Sequence, residues 1–365
     1  MKIAFDAREA AGSPAGKGQV VAGLLPALTR IDREDQFYIF LKDDIDIALP
    51  ANAEKVFISA PSFLWHIAAL RKAKELGVDL YVSPTSFIVP AISRIPSLIV
   101  VHDMVVFKKV AYHQRKARII ERVTLRRAVR NARMIVAVSE HTAKDLASYF
   151  PESATKTTVI YSANPQENAN LQSDCALIRA KYKLPEKFIL YVGTLEPRKN
   201  PQGILHGYAA YRKKAGDHAV PLVLVGKPGW HADDFSKQCA LLGIESAVHF
   251  TGYVPQKDLG CFYRLASCFL FPSLYEGFGL IVLEALQLGC PVITSGVSAL
   301  PEAGGDAARY VDPRDYEAIG DALHEVVTHP EVAADMRERG YRHSAKFTWQ
   351  HSAEAYKNLI HKELS

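Results

Sequence analysis

The sequence predicts an α/β protein built from two doubly wound parallel sheets. Short apolar segments alternate with helical patterns along the chain, which is typical of parallel strands covered by helices on both faces. The length of 365 residues exceeds one ordinary α/β core and indicates two domains. A polar stretch without β-branched residues, 163–176, separates the two halves and is expected to be the linker.

Thirteen strands are expected, seven before the linker and six after it. The first seven are placed at 2–6, 36–41, 55–58, 79–82, 97–101, 134–138 and 157–160. Helical patterns separate most of them, for example at 19–30, 64–76, 115–130 and 141–149. The last six strands are placed near 187–193, 220–225, 247–250, 267–271, 291–294 and 308–311. Ligands of such sheets bind at the carboxyl ends of the strands, so the loops there are the candidate sites.

Composition limits the class of protein. Hydrophobic residues make up 48% and charged residues 23%, which is typical of a soluble globular chain, and no segment approaches the roughly 18 apolar residues of a membrane span. The chain opens on a strand-like segment that reaches Asp6 at once, so we expect no signal peptide and a cytoplasmic protein. The cysteines are odd in number and form no CxxC pair, which favours free buried thiols over disulfides or a zinc site. They are Cys175, Cys239, Cys261, Cys268 and Cys290.

The positive charge is concentrated in the first half. Residues 1–180 hold 24 Lys/Arg against 18 Asp/Glu, a net charge of +6, whereas the remaining residues carry −1. Within the first half, the segment 108–133 contains ten Lys or Arg residues and one acidic residue, Glu121. A basic amphipathic helix there would lie on an anionic membrane, whereas the alternative is a solvated face with its apolar stripe toward the core. Nucleic acid is not expected as a partner, because no recognition motif or aromatic interleaving accompanies the patch.

The most specific motif is the segment Pro272–Ala285. A buried strand ends at Pro272, a Glu-Gly-Phe-Gly turn (276–279) follows, and the next helix is stopped by Gly289 and Pro291. The amides of Gly279 and Leu280, next to Phe278, form a helix-start anion site. Glu276, expected in a surface loop, and Glu284, further along the helix, suit hydrogen bonds to sugar and ribose hydroxyls, although two glutamates at this spacing also occur by chance.

A second motif, Tyr191–Pro201, joins the first strand of the second half to a helix. Asn200 is the expected cap and Pro201 the first helical residue. Arg198 and Lys199 stand immediately before this helix, where cations oppose the helix dipole. Their placement is explained by a bound anion, the alternative being a solvated basic turn.

Two features of the first half are more ambiguous. The loop from Gly12 to Gly18 resembles a dinucleotide fingerprint in Gly16 and Gly18, but Val21 stands at the third glycine position, which weakens a dehydrogenase interpretation. The loop either brings backbone amides to a phosphate or sugar, or is a plain βα turn. His102 ends an apolar strand and either points into an inter-domain cleft or is a structural histidine bonded to the backbone.

With these motifs the chain resembles the family 4 retaining glycosyltransferases, and the match covers nearly the whole length. Glu276 and Glu284 match the family's E-x7-E pair, and the string 196–200 matches EPRKN of many mannosyl- and rhamnosyltransferase-like members. Other similar positions are Asp6-Ala7-Arg8, Val138-Ser139, His141-Thr142 and Phe347-Thr348-Trp349. The resemblance implies a GT-B fold, two Rossmann-like domains facing a deep cleft. It places an acceptor domain at 1–165 together with a returning helix at 347–365, and a donor domain at 177–346.

The resemblance also implies roles for residues. Lys199 and Arg198 would hold the donor diphosphate, Glu276 the donor sugar and Glu284 the ribose, with His102 near the reacting carbon. A separate group would complete the donor site, namely Gly16, Gly18, Thr194, Tyr253, Val254, Phe278, Gly279 and Leu280, with Tyr253 and Val254 framing the base. Relatives often carry arginine where Thr194 and Gln19 stand, so Arg198 is expected to supply the second cation.

The implied reaction moves a sugar from a nucleotide donor to a glycan or a lipid-linked diphosphate acceptor with retention of the anomeric configuration. The EPRKN string favours GDP-mannose over UDP- or dTDP-sugars. No cofactor or metal is expected, since the resemblance implies that Lys199 and Arg198 hold the diphosphate in place of a cation. The alternatives are a sugar-nucleotide epimerase or hydrolase on the same fold and a non-catalytic sugar-nucleotide-binding protein. The basic segment is also compatible with a peripheral position at the inner membrane face.

Overall fold

The computed structural model describes residues 1–12, 16–108, 115–164, 174–226 and 232–364. These residues form two compact units. The first contains the described residues up to 164 together with 347–364, and the second contains 174–346.

The first unit contains a seven-stranded parallel sheet in the order β3-β2-β1-β4-β5-β6-β7. Its strands are β1 (Lys2–Asp6), β2 (Gln36–Leu41), β3 (Ala53–Phe57), β4 (Leu80–Ser83), β5 (Ser97–Val101), β6 (Met134–Ala137) and β7 (Thr157–Val159). Its first five α-helices are α1 (Lys17–Ile31), α2 (Ser62–Leu76), α3 (Ile88–Ile92), α4 (Arg115–Asn131) and α5 (Glu140–Tyr149). The strand order reverses between β1 and β4, which makes the carboxyl ends of these two strands the switch point of the sheet.

The second unit repeats this plan with a six-stranded parallel sheet in the order β10-β9-β8-β11-β12-β13. Its strands are β8 (Ile189–Val192), β9 (Leu222–Val225), β10 (Val248–Gly252), β11 (Cys268–Phe271), β12 (Val292–Ser295) and β13 (Ala308–Val311). Its helices are α6 (Cys175–Tyr182), α7 (Pro201–Ala215), α8 (Ala232–Leu241), α9 (Gln256–Leu265), α10 (Leu280–Gln287), α11 (Leu300–Gly304), α12 (Tyr316–Thr328) and α13 (Pro330–Ser344). Here the order reverses between β8 and β11.

Both sheets confirm the predicted doubly wound α/β architecture. All thirteen strands form close to their predicted positions. The central strands of both sheets are fully buried, and such strands are continuous apolar runs between polar loops. None of the helices in the described part of the chain is long and apolar enough to cross a membrane.

The last helix, α14 (Trp349–Leu364), returns to the first unit and packs on α1. Trp349 is buried, and its indole Nε1 donates a hydrogen bond to the backbone oxygen of Asn164 at 3.0 Å. Gly23 of α1 leaves room for the indole, because a Cβ at this position would overlap the Trp349 ring. The C-terminal segment is therefore part of the first unit's core.

The predicted linker is wrong at both ends. Ala163 and Asn164 are buried in the first unit, and α6 begins at Cys175, where the Asp174 side chain accepts hydrogen bonds from the first helical amides. Residues 165–173 lie outside the described part of the chain. The polar composition of this stretch did not reveal the N-cap at Asp174, because the same residue types favour helix caps and loops.

The expectation that all five cysteines are free is also wrong. Cys175 of α6 and Cys261 of α9 form a disulfide, with their Cα atoms 5.2 Å apart. The other three, Cys239, Cys268 and Cys290, are free and buried. The bonded pair is separated by 86 residues, so neither parity nor local spacing could reveal it; the pairing depends on how the two helices pack.

We predict that Gly23→Val lowers the melting temperature markedly, since the new side chain would overlap the buried Trp349 indole. Overpacking of this kind costs about 1–3 kcal/mol, and each kcal/mol lowers Tm by roughly 2–4 °C in a domain of this size. Ser148→Val, at an exposed position of α5 in the same unit, is the matched control for the added β-branched side chain. Equal melting temperatures for the two variants would contradict the packing account.

Candidate functional site

The switch point of the second sheet brings two loops together. The loop after β8 carries Arg198 and Lys199 on a short 3-10 turn, Pro197–Lys199, and the loop after β11 carries Glu276. These strands are neighbours in the sheet although nearly eighty residues separate their loops. Sheet topology therefore places the two cations beside the carboxylate.

The carboxylate of Glu276 lies between the two cations. Its Oε2 is 2.6 Å from an Arg198 guanidinium nitrogen, and its Oε1 is 3.1 Å from Lys199 Nζ. The second guanidinium nitrogen of Arg198 donates to Glu196 Oε1 at 2.8 Å. We call these three residues, Arg198, Lys199 and Glu276, the ion cluster. Only 20%, 15% and 13% of their side-chain areas are exposed, respectively, so the expectation of Glu276 in an open surface loop is wrong.

Hydrogen bonds from the two loops fix the ion cluster. The Arg198 guanidinium donates to the Tyr275 backbone oxygen at 2.8 Å, and the amide of Leu274 donates to the Arg198 backbone oxygen at 2.9 Å. The Glu276 amide donates to Ser298 Oγ at 3.0 Å. Lys199 Nζ lies 4.6 Å from the centre of the Phe271 ring, a cation–π contact that orients the ammonium group.

Asn200 joins the two loops. As predicted, it caps α7, its Oδ1 accepting a hydrogen bond from the Gly203 amide at 3.0 Å. Its side-chain amide also donates to the backbone oxygens of Pro272 and Pro313, at 3.0 and 2.6 Å. Because these bonds are buried, Asn200 holds the start of α7 against the end of β11 and sets the spacing between the cations and Glu276.

The electrostatics follow from burial and the neighbouring charges. Burial opposes ionisation of Glu276, but Lys199 and Arg198 outweigh it and lower the pKa of this carboxyl. Burial raises the pKa of Glu284, on α10, to about 7. Tyr263 donates a hydrogen bond to Glu284 Oε2 at 3.3 Å and partly offsets that rise. The two glutamates therefore occupy opposite electrostatic environments.

The other residues predicted for the donor site lie in the loops after β8 and β10 and at the start of α10. Gly279, with a φ of +117° that favours glycine, is the N-cap of α10, and Leu280 is its first residue. Phe278 and Val254 are each 5% exposed, whereas Tyr253 is 58% exposed. Thr194 is exposed, and its backbone oxygen accepts a hydrogen bond from the Tyr191 hydroxyl at 3.3 Å.

His102, Gly16 and Gly18 belong to the first unit. Gly16 is the N-cap residue of α1 and Gly18 is buried in its first turn, while residues 13–15 of this loop lie outside the described ranges. His102 Nε2 is 2.7 Å from the Pro84 backbone oxygen. Because a carbonyl only accepts, Nε2 carries the proton and Nδ1 is left as an acceptor. Burial and Lys17 lower the pKa of His102 to about 4, so its imidazole is neutral at pH 7.

A polar group lies at the switch point of the first sheet. Sequence reasoning noted Asp6 and Arg8 only as positions similar to the family, and it missed His66 and Tyr81. Asp6, at the end of β1, is fully buried, and burial raises its pKa to about 6. Arg8 donates to His66 Nε2, on α2, at 3.0 Å. Asp6 Oδ2, His66 Nδ1 and the Tyr81 hydroxyl are buried and have no hydrogen-bond partner among the described residues. His66 sits in an apolar helical pattern, and nothing in its sequence neighbourhood singles it out.

The basic segment divides into two sets of side chains. Arg118 and Arg122 of α4 donate to the backbone oxygen of Val106, at 2.9 and 2.6 Å, so they stabilise the preceding turn. Exposed residues on the same helix are Ile119, Ile120, Val123, Arg126, Arg127 and Arg130, and we call these six the α4 face. Leu125, Ala128 and Val129 face the core. Residues 109–114 lie outside the described ranges.

Two family models and several known proteins match the chain. Residues 176–343 match the family model for glycosyl transferases group 1, and residues 43–163 match that for glycosyltransferase family 4. The chain is 31% identical to O-antigen chain mannosyltransferase B of Escherichia coli over 80% of this chain and 76% of that protein. It is 30% identical to the serotype-specific mannosyltransferase WbdA of Escherichia coli over 60% of this chain, but it spans only 27% of WbdA's length.

Solved structures share the fold. Sucrose-phosphate synthase from Thermosynechococcus elongatus superposes with a TM-score of 0.78 at 20% identity, over 99% of this chain and 98% of that one. HepE of Anabaena, in complex with UDP and glucose, gives a TM-score of 0.74 at 18% identity, over 99% and 100% of the two chains. At these identities the likeness establishes the fold alone.

We predict that Glu284→Gln stabilises the protein more at pH 8 than at pH 5. A carboxyl whose pKa is raised from 4.5 to about 7 contributes its stability below 4.5 and loses it as the pH rises through 7. The difference in unfolding free energy between the variant and the wild type should therefore grow by up to about 3 kcal/mol, at about 1.4 kcal/mol per pKa unit.

Urea unfolding at the two pH values measures this difference. Glu338→Gln, at an exposed position of α13 in the same unit, is the control and should show none of this pH dependence. A constant difference between Glu284→Gln and the wild type from pH 5 to pH 8 would show that Glu284 is not a destabilised buried carboxylate.

Proposed function

The chain belongs to the family 4 glycosyltransferases, and from this premise we propose that it is a retaining, metal-independent hexosyltransferase of cell-surface polysaccharide synthesis. The proposed donor is GDP-mannose and the proposed acceptor is a glycan or lipid-linked glycan. The names of the mannosyltransferase relatives and the EPRKN string at 196–200 support this donor. In this proposal the second unit binds the donor and the first binds the acceptor.

The ion cluster is the observation that carries the proposal. A nucleotide-sugar donor releases a diphosphate, on which negative charge accumulates in the transition state. Preorganised cations aimed at that charge lower the barrier, and Arg198 and Lys199 are held in place before substrate binds. The N-terminus of α10 at Gly279 and Leu280 adds backbone amides suited to phosphate oxygens.

Glu276 has two roles in this proposal. In the free protein its carboxylate neutralises the cations, which lowers the cost of keeping two positive groups in a partly buried site. When the diphosphate takes the cations, the carboxylate is released to accept hydrogen bonds from sugar hydroxyls. Glu284 would bind the ribose hydroxyls, and Tyr253 and Val254 would frame the base. In the first unit, the neutral His102 would accept a hydrogen bond from a sugar hydroxyl through Nδ1.

The first unit has a matching polar group for an acceptor. Asp6 Oδ2, His66 Nδ1–H and the Tyr81 hydroxyl lack hydrogen-bond partners among the described residues. Asp6 and Tyr81 lie on the neighbouring strands β1 and β4, and His66 of α2 accepts a hydrogen bond from Arg8, which follows β1. Buried polar atoms without partners are costly, and sugar hydroxyls supply both donors and acceptors. This group therefore supports binding of a hydroxyl-rich acceptor to this unit.

The α4 face supports contact with an anionic membrane, where a lipid-linked acceptor would be held. Exposed Ile119, Ile120 and Val123 form an apolar patch next to the exposed Arg126, Arg127 and Arg130. Apolar side chains that enter the acyl boundary beside basic ones that contact lipid head groups are typical of interfacial helices. Contiguous exposed apolar patches rimmed by polar residues mark protein or membrane contact sites.

Incubation of the protein with GDP-mannose, with and without a membrane lipid extract from the source cells, tests the proposed reaction. If the protein is a transferase, labelled mannose is transferred to an acceptor in the extract. Release of free mannose without the extract identifies a hydrolase, a changed sugar nucleotide identifies an epimerase, and donor binding without turnover identifies a binding protein.

We predict that Lys199→Ala lowers kcat/KM of the transfer by roughly 10²–10³-fold, the effect of losing one donor that stabilises transition-state charge. Lys187→Ala, at an exposed lysine of the same unit, is the matched control and should retain activity. Transfer by the wild-type protein should also persist in excess chelator. A strict requirement for Mg²⁺ or Mn²⁺, or near-wild-type activity of Lys199→Ala, would contradict the role given to the cations.

We also predict salt-sensitive binding to anionic lipid vesicles and none to neutral ones. Replacement of Arg126, Arg127 and Arg130 by glutamine should weaken the binding on the order of 100-fold, at about 1 kcal/mol per basic residue near the surface. Arg122 is left unchanged because its side chain holds the backbone of Val106.

The matched control replaces three exposed lysines of the second unit, namely Lys187, Lys213 and Lys214, which removes the same net charge. Vesicle sedimentation at low and high salt measures the binding. If the two triple variants bind equally, or the wild type ignores anionic vesicles at low salt, the α4 face is an ordinary solvated surface and a soluble acceptor is favoured.

A further inference from the structure

The end of α1 and the end of α14 meet at a cluster of titratable side chains unrelated to the ion cluster. Asp32 and Asp35 follow α1, and His361 lies in the last turn of α14. Asp32 is fully buried, Asp35 is 4% exposed and the His361 side chain is 31% exposed. The two carboxylates are thus removed from water, whereas part of the His361 imidazole is in contact with solvent.

The spacing of the three groups resembles that of metal ligands. His361 Nε2 is 3.2 Å from Asp32 Oδ2 and 3.2 Å from Asp35 Oδ2, and one ligand atom from each residue lies within 4.8 Å of the others. Zinc bonds of about 2.0–2.2 Å at a tetrahedral angle put neighbouring ligand atoms roughly 3.3–3.5 Å apart. Two of the three separations are already close to this value, and rotation of one carboxylate would adjust the third.

Each carboxylate also has a buried oxygen without a hydrogen bond. Asp32 Oδ1 and Asp35 Oδ2 are buried and accept none from any described residue. Asp35 Oδ2 is also the oxygen that lies 3.2 Å from His361 Nε2, so a nearly fully buried oxygen without a hydrogen bond points into the cluster. The Met1 ammonium, at 2.5 Å, contacts the other oxygen of Asp35, Oδ1.

The backbone that carries the carboxylates is held in place. The Asn52 side-chain amide donates to the backbone oxygens of Asp32 and Asp35, at 2.7 and 3.1 Å. On the other side, α14 is fixed by Trp349 and by Ser352, whose hydroxyl donates to the Tyr161 backbone oxygen at 2.7 Å. Ligands held by such contacts need little ordering when a metal binds.

We propose that Asp32, Asp35 and His361 form a binding site for one divalent transition metal ion such as Zn²⁺. Two carboxylate oxygens and an imidazole nitrogen suit such an ion, with water as the fourth ligand. The metal would bind both buried carboxylates and link α14 to the end of α1, since its ligands His361 and Asp32 are 329 residues apart in sequence. Its role is structural, so a chelator would lower the stability of the first unit while sugar transfer by folded protein continues.

Metal titration of the chelator-treated protein tests the site. With Zn²⁺ at about 100 times its dissociation constant, Tm should rise by roughly 5 °C or more. Co²⁺ should give visible d–d absorption with one ion per chain. His361→Gln should remove both signals, and since His361 is partly exposed this variant is expected to fold. His351→Gln, on the same helix and exposed, is the matched control and should keep them.

Asp32→Asn provides a second variant, which should abolish the Co²⁺ spectrum even where its own Tm differs from that of the wild type. The proposal is overturned if the wild type shows neither signal, or if His361→Gln responds to the metals as the wild type does. In both cases the contacts of His361 with the two buried carboxylates hold α14 to α1 without a metal. Neither outcome bears on the donor site, because the readouts do not involve sugar transfer.

Discussion

The contact of Glu276 with Arg198 and Lys199 is the interaction on which the proposed activity depends. Two cations placed side by side at the start of a helix are unfavourable by themselves, because they repel each other and oppose the helix dipole. The carboxylate offsets this repulsion in the free protein, and it lies on a different loop from both cations. Correct folding of two distant segments is therefore required before the cations are positioned for a diphosphate.

The topology of the parallel sheet brings together the loop that carries Glu276 and the loop that carries the two cations. In a doubly wound sheet the chain reverses its direction of growth at one place, and the loops that leave the two strands there diverge and open a crevice. In the second unit these loops follow β8 and β11. Asn200 then sets the distance between them through one cap bond and two bonds to backbone oxygens. The first sheet also reverses its strand order, between β1 and β4, and the buried Asp6 lies there at the end of β1.

The sequence was sufficient to predict the strands, the two sheets and the cap at Asn200, because each of these depends on residues close together in the chain. It failed where packing between distant segments decides. Three features depend on contacts that no local sequence pattern predicts. They are the burial of Glu276, the disulfide between Cys175 and Cys261, and the hydrogen bond from Arg122 to the Val106 backbone. His66 was missed for the same reason, since its partner Arg8 is 58 residues away.

The affinity of the protein for GDP, measured by calorimetry on the wild type, Lys199→Ala and Glu276→Gln, tests the central claim most directly. If the diphosphate displaces the carboxylate from the cations, Lys199→Ala should bind GDP about 10–100-fold more weakly, the effect of losing one hydrogen bond to a charged group. Glu276→Gln, which removes the competing charge, should bind GDP at least as tightly as the wild type. Unchanged affinity in Lys199→Ala, or weaker binding in Glu276→Gln, would contradict the account.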